Sequence, residues 1–254
     1  MGYKFEITQI SNRVSRMKKE NGFTLVEAIV ALFIGSLMLV AIYAAVDSAQ
    51  RSSSGVEKRV GAQQDARGAL DLMAMEIQMA SYNSGMDDHI WRSPADCISA
   101  SANKTYKGIQ EATANSITIE MDINDNGAID NTTNNPNETI KYVYDSTNQY
   151  ITRSTNCGGA QAFLGSTTTD TKTVSVVNNT AGTGSTAIPV FRYYDGAGAL
   201  IAAPVTTNIP DIRRIEITLV IDTSSSDQGT STKRRIIYST SVIPRNHIPV
   251  SPTY

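Results

Sequence analysis

The sequence predicts an α+β protein in which one long N-terminal helix packs against an antiparallel β-sheet. The first part of the chain is apolar, then amphipathic with a helical period, and it contains no proline between residues 23 and 93. After Tyr82 the period changes to two, and turn-rich stretches separate short strand-like runs. A long helix followed by successive strands is typical of the α+β class.

The composition and the absence of common motifs narrow the classes of function that we expect. The 254 residues carry a formal net charge of -2, so no strong positive field favours nucleic acid as a partner. Two basic clusters, residues 213–214 and 233–235, are interpreted as solvated faces, with DNA or an acidic partner subunit as alternatives. The common nucleophile, phosphate-binding and zinc-hydrolase motifs are absent, and the two histidines are far apart in sequence, so we do not expect an enzyme.

A basic leader, residues 1–22, precedes an apolar run of 24 residues from Phe23 to Val46. Four basic residues lie in the part of this leader closest to the run: Arg13, Arg16, Lys18 and Lys19. The run carries a single charge, Glu27, and is long enough to cross a hydrocarbon core of roughly 30 Å. The positive-inside rule then predicts a single membrane pass, residues 23–46, with a cytoplasmic N-terminus.

The junction KKENGFTLVEAIVALF resembles the class III signal of type IV prepilins. A secretory signal peptide carries its small cleavage-site residues after the apolar run, whereas Gly22 stands before it. The resemblance implies that a prepilin peptidase cleaves after Gly22 and methylates the new N-terminal residue, Phe23. It also implies a type IV pilin-like fold, with the first half of the long helix in the membrane.

Glu27 becomes the fifth residue of the mature chain if the resemblance holds. An unpaired carboxylate in a bilayer costs about 2.5–3.5 kcal/mol or more, so we expect it to have a partner. The amine freed at Phe23, in the same or a neighbouring subunit, is the candidate cation, and pairing would fix the axial register of packed helices. The alternative is a plain signal anchor that tolerates a glutamate.

The helix is expected to span residues 23–82, and an antiparallel β domain to follow over residues 83–254. Five apolar residues recur at spacings of three and four on one face of the helix: Ala66, Leu70, Met73, Ile77 and Ala80. Seven strands are expected, at 116–121, 139–145, 149–153, 172–177, 188–195, 212–222 and 234–243.

The rest of the chain resembles PilW-type minor pilins through ARGALDLMAMEIQMA, SITIEMDINDNGAIDN, FRYYDGAG, DIRRIEITLVIDT and STSVIPRN. That resemblance implies a low-copy structural subunit that helps to initiate pilus assembly and sits at the pilus tip. Its implied partners are other minor pilins, the major pilin and the inner-membrane assembly machinery. It would lie in the inner membrane first and in the pilus, at the cell surface, afterwards. A J-type pseudopilin of type II secretion is the alternative.

The two cysteines, Cys97 and Cys157, both follow the membrane segment. With this topology they face an oxidising compartment, and we expect them to form a disulfide. In the chain-entropy model such a bond stabilises the domain by about 4 kcal/mol.

The stretch DINDNGAID is a candidate calcium loop. Four oxygen-bearing residues occupy positions 1, 3, 5 and 9 of such a loop: Asp122, Asn124, Asn126 and Asp130. Gly127 supplies the turn, but Thr133 stands where a bidentate glutamate is needed, and Glu138 is the carboxylate that could fold back. A calcium-dependent adhesin is therefore a further alternative. The other interpretation is a simple Asx-rich turn between strands.

Overall fold

The computed structural model describes residues 22–87, 89–92, 106–129, 137–166, 174–180, 186–226 and 233–247. The chain divides into two compact units, residues 1–51 and 52–254. One helix, α1, covers Leu25–Gln78. The predicted helix, 23–82, therefore begins two residues before the observed helix and ends four residues after it.

The first unit is described from Gly22 onward and consists of the N-terminal part of α1. Its most apolar 18-residue window has a mean hydropathy of 2.6, and none of that window is buried. Large apolar side chains in this part are between 48% and 85% exposed from Phe23 to Val46. By length and composition the helix can cross a membrane, as the sequence predicts.

The second unit contains two sheets in which all strand pairs are antiparallel. The first sheet has the order β1-β2-β3-β4-β5: Ile109–Ala112, Ser116–Glu120, Thr139–Asp145, Tyr150–Thr155 and Gln161–Leu164. The second has the order β10-β9-β7-β8, and β6 also pairs with β9. Its strands are β6 Val174–Val176, β7 Phe191–Tyr194, β8 Leu200–Ile201, β9 Arg214–Ser226 and β10 Lys233–Val242.

The predicted fold class is confirmed, and the described strands form two antiparallel sheets rather than one. Seven of the ten strands overlap the predicted ones, and β1, β5 and β8 were not predicted. These three are two to four residues long, and each lies at the edge of its sheet. Such strands owe their conformation to pairing with a longer neighbour, and their own sequences are too short to show the two-residue period.

A single apolar core joins α1 to both sheets. The predicted helix face is buried, and so are Ile215, Ile217, Leu219 and Ile221 on one face of β9. Every described residue of this core lies at or after Ala62. The unit that begins at Ser52 therefore contains the whole described core, and we expect it to fold without the apolar part of the chain.

A buried polar cluster links α1 to the first sheet. The Glu76 carboxylate accepts hydrogen bonds from Arg153 Nη2 at 2.6 Å and Nε at 3.2 Å. The Tyr142 hydroxyl also donates to it. The Glu76 and Arg153 side chains are only 11% and 21% exposed, so each charge depends on the other for compensation. Burial, with the Glu76 carboxylate beside it, raises the pKa of Tyr142.

Replacing one member of this pair should destabilise the second unit strongly. We expect Arg153→Met to lower the free energy of unfolding of residues 52–254 by about 3–5 kcal/mol, because it leaves a buried carboxylate uncompensated. Urea denaturation measures this change. Arg192→Met is the control, because Arg192 pairs with Glu216 at 3.8 Å near the surface and should cost less than about 1 kcal/mol. If the two substitutions lowered the free energy of unfolding equally, the buried cluster would not have the stabilising role that we infer.

His247, the last described residue, is buried and contacts three other segments of the second unit. The side chain is 2% exposed; its Nε2 lies 2.8 Å from the carbonyl oxygen of Ile209 and its Nδ1 3.0 Å from Ser81 Oγ. Nδ1 is also 3.2 Å from the carbonyl oxygen of Lys107. Burial lowers the pKa of His247 below its ordinary value of 6.5, and the Arg213 guanidinium acts in the same direction.

The stability of the second unit should therefore depend on pH through His247. Because its pKa is lower in the folded state, its contribution is complete above about pH 6.5 and is lost as the pH falls through the folded pKa. The slope for one proton cannot exceed about 1.4 kcal/mol per pH unit. We expect His247→Gln to be less stable than wild type at pH 7.5 and to approach wild type at pH 5. A difference that does not change with pH, in denaturation of both proteins, would contradict this account.

Candidate processing and assembly site

Gly22 and Phe23 lie in non-helical backbone immediately before α1, and both are exposed. A Cβ atom added at Gly22 would meet nothing within 4 Å. The local structure therefore does not require a glycine at this position. Both residues are accessible to a second protein, and cleavage after Gly22 stays a prediction.

Glu27 forms a capping box with Thr24 at the start of α1. The Glu27 N–H donates to Thr24 Oγ1 at 3.2 Å, and the Thr24 N–H lies 3.5 Å from Glu27 Oε2. The first helical bond runs from the N–H of Ala28 to the carbonyl oxygen of Thr24. The pair thus satisfies backbone donors that a helix end leaves open. The T-x-x-E spacing of Thr24 and Glu27 is the sequence signal of this capping box.

The capping box places the Glu27 carboxylate 3.5 Å from the backbone nitrogen of Thr24, the residue that follows Phe23. The positive end of the helix dipole also favours an anion there. In the uncleaved chain the Phe23 nitrogen belongs to a peptide bond, and cleavage after Gly22 would convert it into an amine. The local geometry is compatible with the expected ion pair, and the pair itself stays a prediction.

Cys157 is disulfide-bonded. It follows β4 in a turn and has a positive φ of 61°. Its expected partner, Cys97, lies outside the described residues. The pairing of Cys97 with Cys157 therefore stays a prediction.

The Asx-rich loop after β2 is organised by carboxylates that accept backbone N–H groups. Asp122 Oδ2 accepts from Gly127 at 2.9 Å, and Asp122 Oδ1 accepts from Asn126 at 3.2 Å. Glu138 does fold back onto the loop, because its Oε1 accepts from the N–H of Ile123 at 3.1 Å. Gly127 has a φ of 75°, as a turn at this position requires.

These contacts give the loop carboxylates a structural role of their own. Glu138 is fully buried and Asp122 is 1% exposed. Among the described residues, no group of three or more histidine, cysteine, aspartate or glutamate side chains is arranged to hold a metal ion. Asp130 and Thr133 lie outside the described residues. Calcium binding by Asp122, Asn124, Asn126, Asp130 and Glu138 stays a prediction.

Glu120 is a further buried carboxyl that sequence analysis missed. It lies at the end of β2, is 1% exposed, and accepts a hydrogen bond from the N–H of Arg92 at 2.9 Å. Burial raises its pKa to about 8, although the N–H and the charge of Arg92 act in the opposite direction. The two-residue period does not indicate this burial, because it distinguishes a buried face from an exposed face. In β2 all five residues are buried, on both faces of the strand.

Three arginines of the basic clusters have partners within the chain. Arg235 binds Asp222 through two nitrogens at 2.8 and 2.9 Å, and the Arg214 guanidinium lies 3.6 Å from the centre of the Tyr194 ring. Arg213 donates to the carbonyl oxygens of Pro210 and Ile212. These contacts favour the interpretation of the clusters as parts of the folded surface.

Comparison with known families identifies both parts of the chain. Residues 17–43 match the model of the prokaryotic N-terminal methylation motif. Residues 57–240 match the model of prepilin peptidase-dependent protein B. No curated protein and no solved structure matches the chain.

The motif and the exposed apolar part of α1 fit a membrane-anchored subunit that later assembles into a pilus. Its type IV pilin-like architecture is one long helix packed against antiparallel sheets. Families of this kind are structural rather than enzymatic, and processing depends on prepilin peptidase. Because the second match covers more than half of the sequence, the chain belongs to the prepilin peptidase-dependent protein B family.

Proposed function

We propose that this protein is a minor pilin of the PilW type, without catalytic activity, that helps to initiate assembly of a type IV pilus and sits at its tip. It is cleaved after Gly22, methylated at Phe23 and held in the inner membrane by residues 23–46 before assembly. Its partners are other minor pilins, the major pilin and the assembly machinery. Its work is done by helix packing and by complementary surfaces of the β domain.

The observation that carries this proposal is the arrangement at the start of α1. An exposed glycine and an exposed phenylalanine precede α1, and a capping glutamate lies in its first turn. No side chain in the most hydrophobic window of this helix is buried. In water such a surface is unfavourable, so it needs lipid or other helices around it. The tip position and the initiating role rest on the resemblance of the β domain to PilW-type subunits.

Mass spectrometry of sheared surface filaments tests the proposal directly. We expect a peptide that begins at N-methylated Phe23, at low stoichiometry beside a major pilin. Detection of the processed form only in the membrane fraction would favour a pseudopilin or a priming role within the envelope. An N-terminus that still carries residues 1–22 would contradict the assignment of the cleavage site.

A second prediction separates the ion pair from the capping box. Glutamine can replace glutamate in a capping box but carries no charge. We therefore expect Glu27→Gln to be inserted and processed normally, while its incorporation into filaments falls by at least about tenfold, because loss of the pair costs more than about 1.4 kcal/mol. Quantitative mass spectrometry of the membrane and filament fractions gives both values.

Thr24→Val is the control for this experiment. It removes the hydroxyl that accepts the Glu27 N–H, retains the Glu27 charge and should cost about 1 kcal/mol of helix stability. Its incorporation should fall by much less than that of Glu27→Gln. Normal incorporation of Glu27→Gln would exclude the ion pair as the basis of assembly.

A minor pseudopilin of a type II secretion system is the alternative. The N-terminal motif and the apolar helix are equally suited to it, because pseudopilins are expected to share both features. A deletion strain separates the two functions. Loss of pili with normal secretion supports the minor pilin, and loss of secretion with normal pili supports the pseudopilin.

A further inference from the structure

Strand β10 presents an open backbone edge. It is the last strand in the order of the second sheet, and in the part of the chain that the structure describes it pairs only with β9. Within the described residues, no backbone hydrogen bond reaches β10 from its other side. A strand in this position carries a row of N–H and C=O groups that can pair with another strand.

The register identifies which residues of β10 face outward. Ser239 lies opposite Thr218, whose N–H donates to the carbonyl oxygen of Val190 on the far side of β9. Thr218 and Ser239 therefore form a pair without mutual backbone hydrogen bonds, and the backbone groups of Ser239 point away from β9. By the alternation of an antiparallel ladder, the backbone groups of Ile237 and Ser241 point outward as well.

From residue 236 onward, β10 has none of the features that usually prevent strand pairing. The stretch IIYSTSVI, residues 236–243, contains no charged residue, no proline and no glycine. The solvent-exposed side chains of this stretch include Ile237, which is 57% exposed, and Ile243, which is 61% exposed. Lysines, prolines and bulges protect the edges of most natural sheets, and here the bulge and the charges lie only at the start of β10, over residues 233–235.

A groove adjoins the C-terminal end of this edge. It has a volume of about 520 Å³ and lies between the 71–78 part of α1 and residues 241–245. Met75 contributes an apolar wall that is 55% exposed, and Ile243 contributes another. A strand added to β10 would be able to place a side chain in this groove, which gives selectivity beyond the backbone bonds.

We propose that the edge of β10 takes up an extended strand from another pilin-class subunit, as an added strand of the second sheet. This inference rests on the proposed function, which places such subunits beside the protein at high effective concentration. An uncharged edge fits an uncharged run of about six residues in the partner strand. The exposed Arg234 fits a carboxylate at one end of that run.

Ser239→Pro tests the proposal at a single backbone group. The substitution removes an N–H that the sheet does not use, and proline is tolerated on the open side of an edge strand. Ser239→Ala is the matched control, because it also removes the hydroxyl but retains the N–H. In cells that express the full chain, we expect the proline variant to be processed normally and its incorporation into filaments to fall by about tenfold relative to the alanine variant.

A second pair of variants tests the proposal without a proline, so that the result does not depend on whether the Ser239→Pro variant folds. Ile237→Lys places a charge on the open edge, whereas Leu200→Lys places one on β8, at a side chain with the similar exposure of 61%. We expect only Ile237→Lys to lose incorporation. Equal loss in both variants, or loss in neither, would overturn the proposal.

Amide hydrogen exchange on the isolated unit 52–254 gives an independent readout. The N–H groups of Ile237, Ser239 and Ser241 should exchange rapidly, and those of Tyr238 and Thr240 should be protected by β9. Protection of all five would show that the chain covers its own edge, and that would also overturn the proposal. If wild-type protein is absent from filaments while the edge amides exchange rapidly, the proposed function fails and the edge itself is retained as a property of the fold.

Discussion

The second unit depends on the burial of one face of α1. Ala62, Ala66 and Met73 on this face are completely buried, and the core that they enter includes side chains of both sheets. Small alanine side chains allow the sheets to approach the helix closely, while Met73 and Ile77 fill the remaining space. Each sheet has its own hydrogen bonds, but neither could bury its inner face in the described structure without the core that contains this helix surface.

Polar groups then fix positions that apolar packing leaves free. Glu76 sets the position of α1 relative to the first sheet through Arg153 and Tyr142. Gly108, with a φ of 82°, lets three segments meet: a Cβ atom there would lie 2.7 Å from the carbonyl oxygen of Glu120 and from Cα of Ser81. His247 closes the same region from the end of the described chain. The Asx-rich loop follows this principle, since its carboxylates accept N–H groups that the turn leaves unpaired.

The two units divide the work that a filament subunit has to perform. The first unit presents apolar side chains that are stable only in lipid or among other helices, and Glu27 is the only charged residue of the apolar run, residues 23–46. The second unit contains its own core, and the open edge of β10 lies beside a groove. In the assembly proposed above, packing of the apolar helices would supply contact area between subunits. Strand pairing at β10 would fix the orientation of one subunit relative to the next.

The sequence by itself determined the features that depend on local pattern. The apolar run predicted a helix long and apolar enough to cross a membrane, and the 3.6-residue period predicted the buried face of α1. Gly22, Phe23 and Glu27 could be predicted as site residues because their signal lies within one short stretch of the sequence. Tertiary structure decided what depends on partners distant in sequence. These features are the division into two sheets, the short edge strands, the burial of Glu76, Glu120 and His247, and the open edge of β10. A residue's own neighbours in sequence do not specify which strand pairs beside it or which carboxyl becomes enclosed, because both follow from the packing of the whole unit.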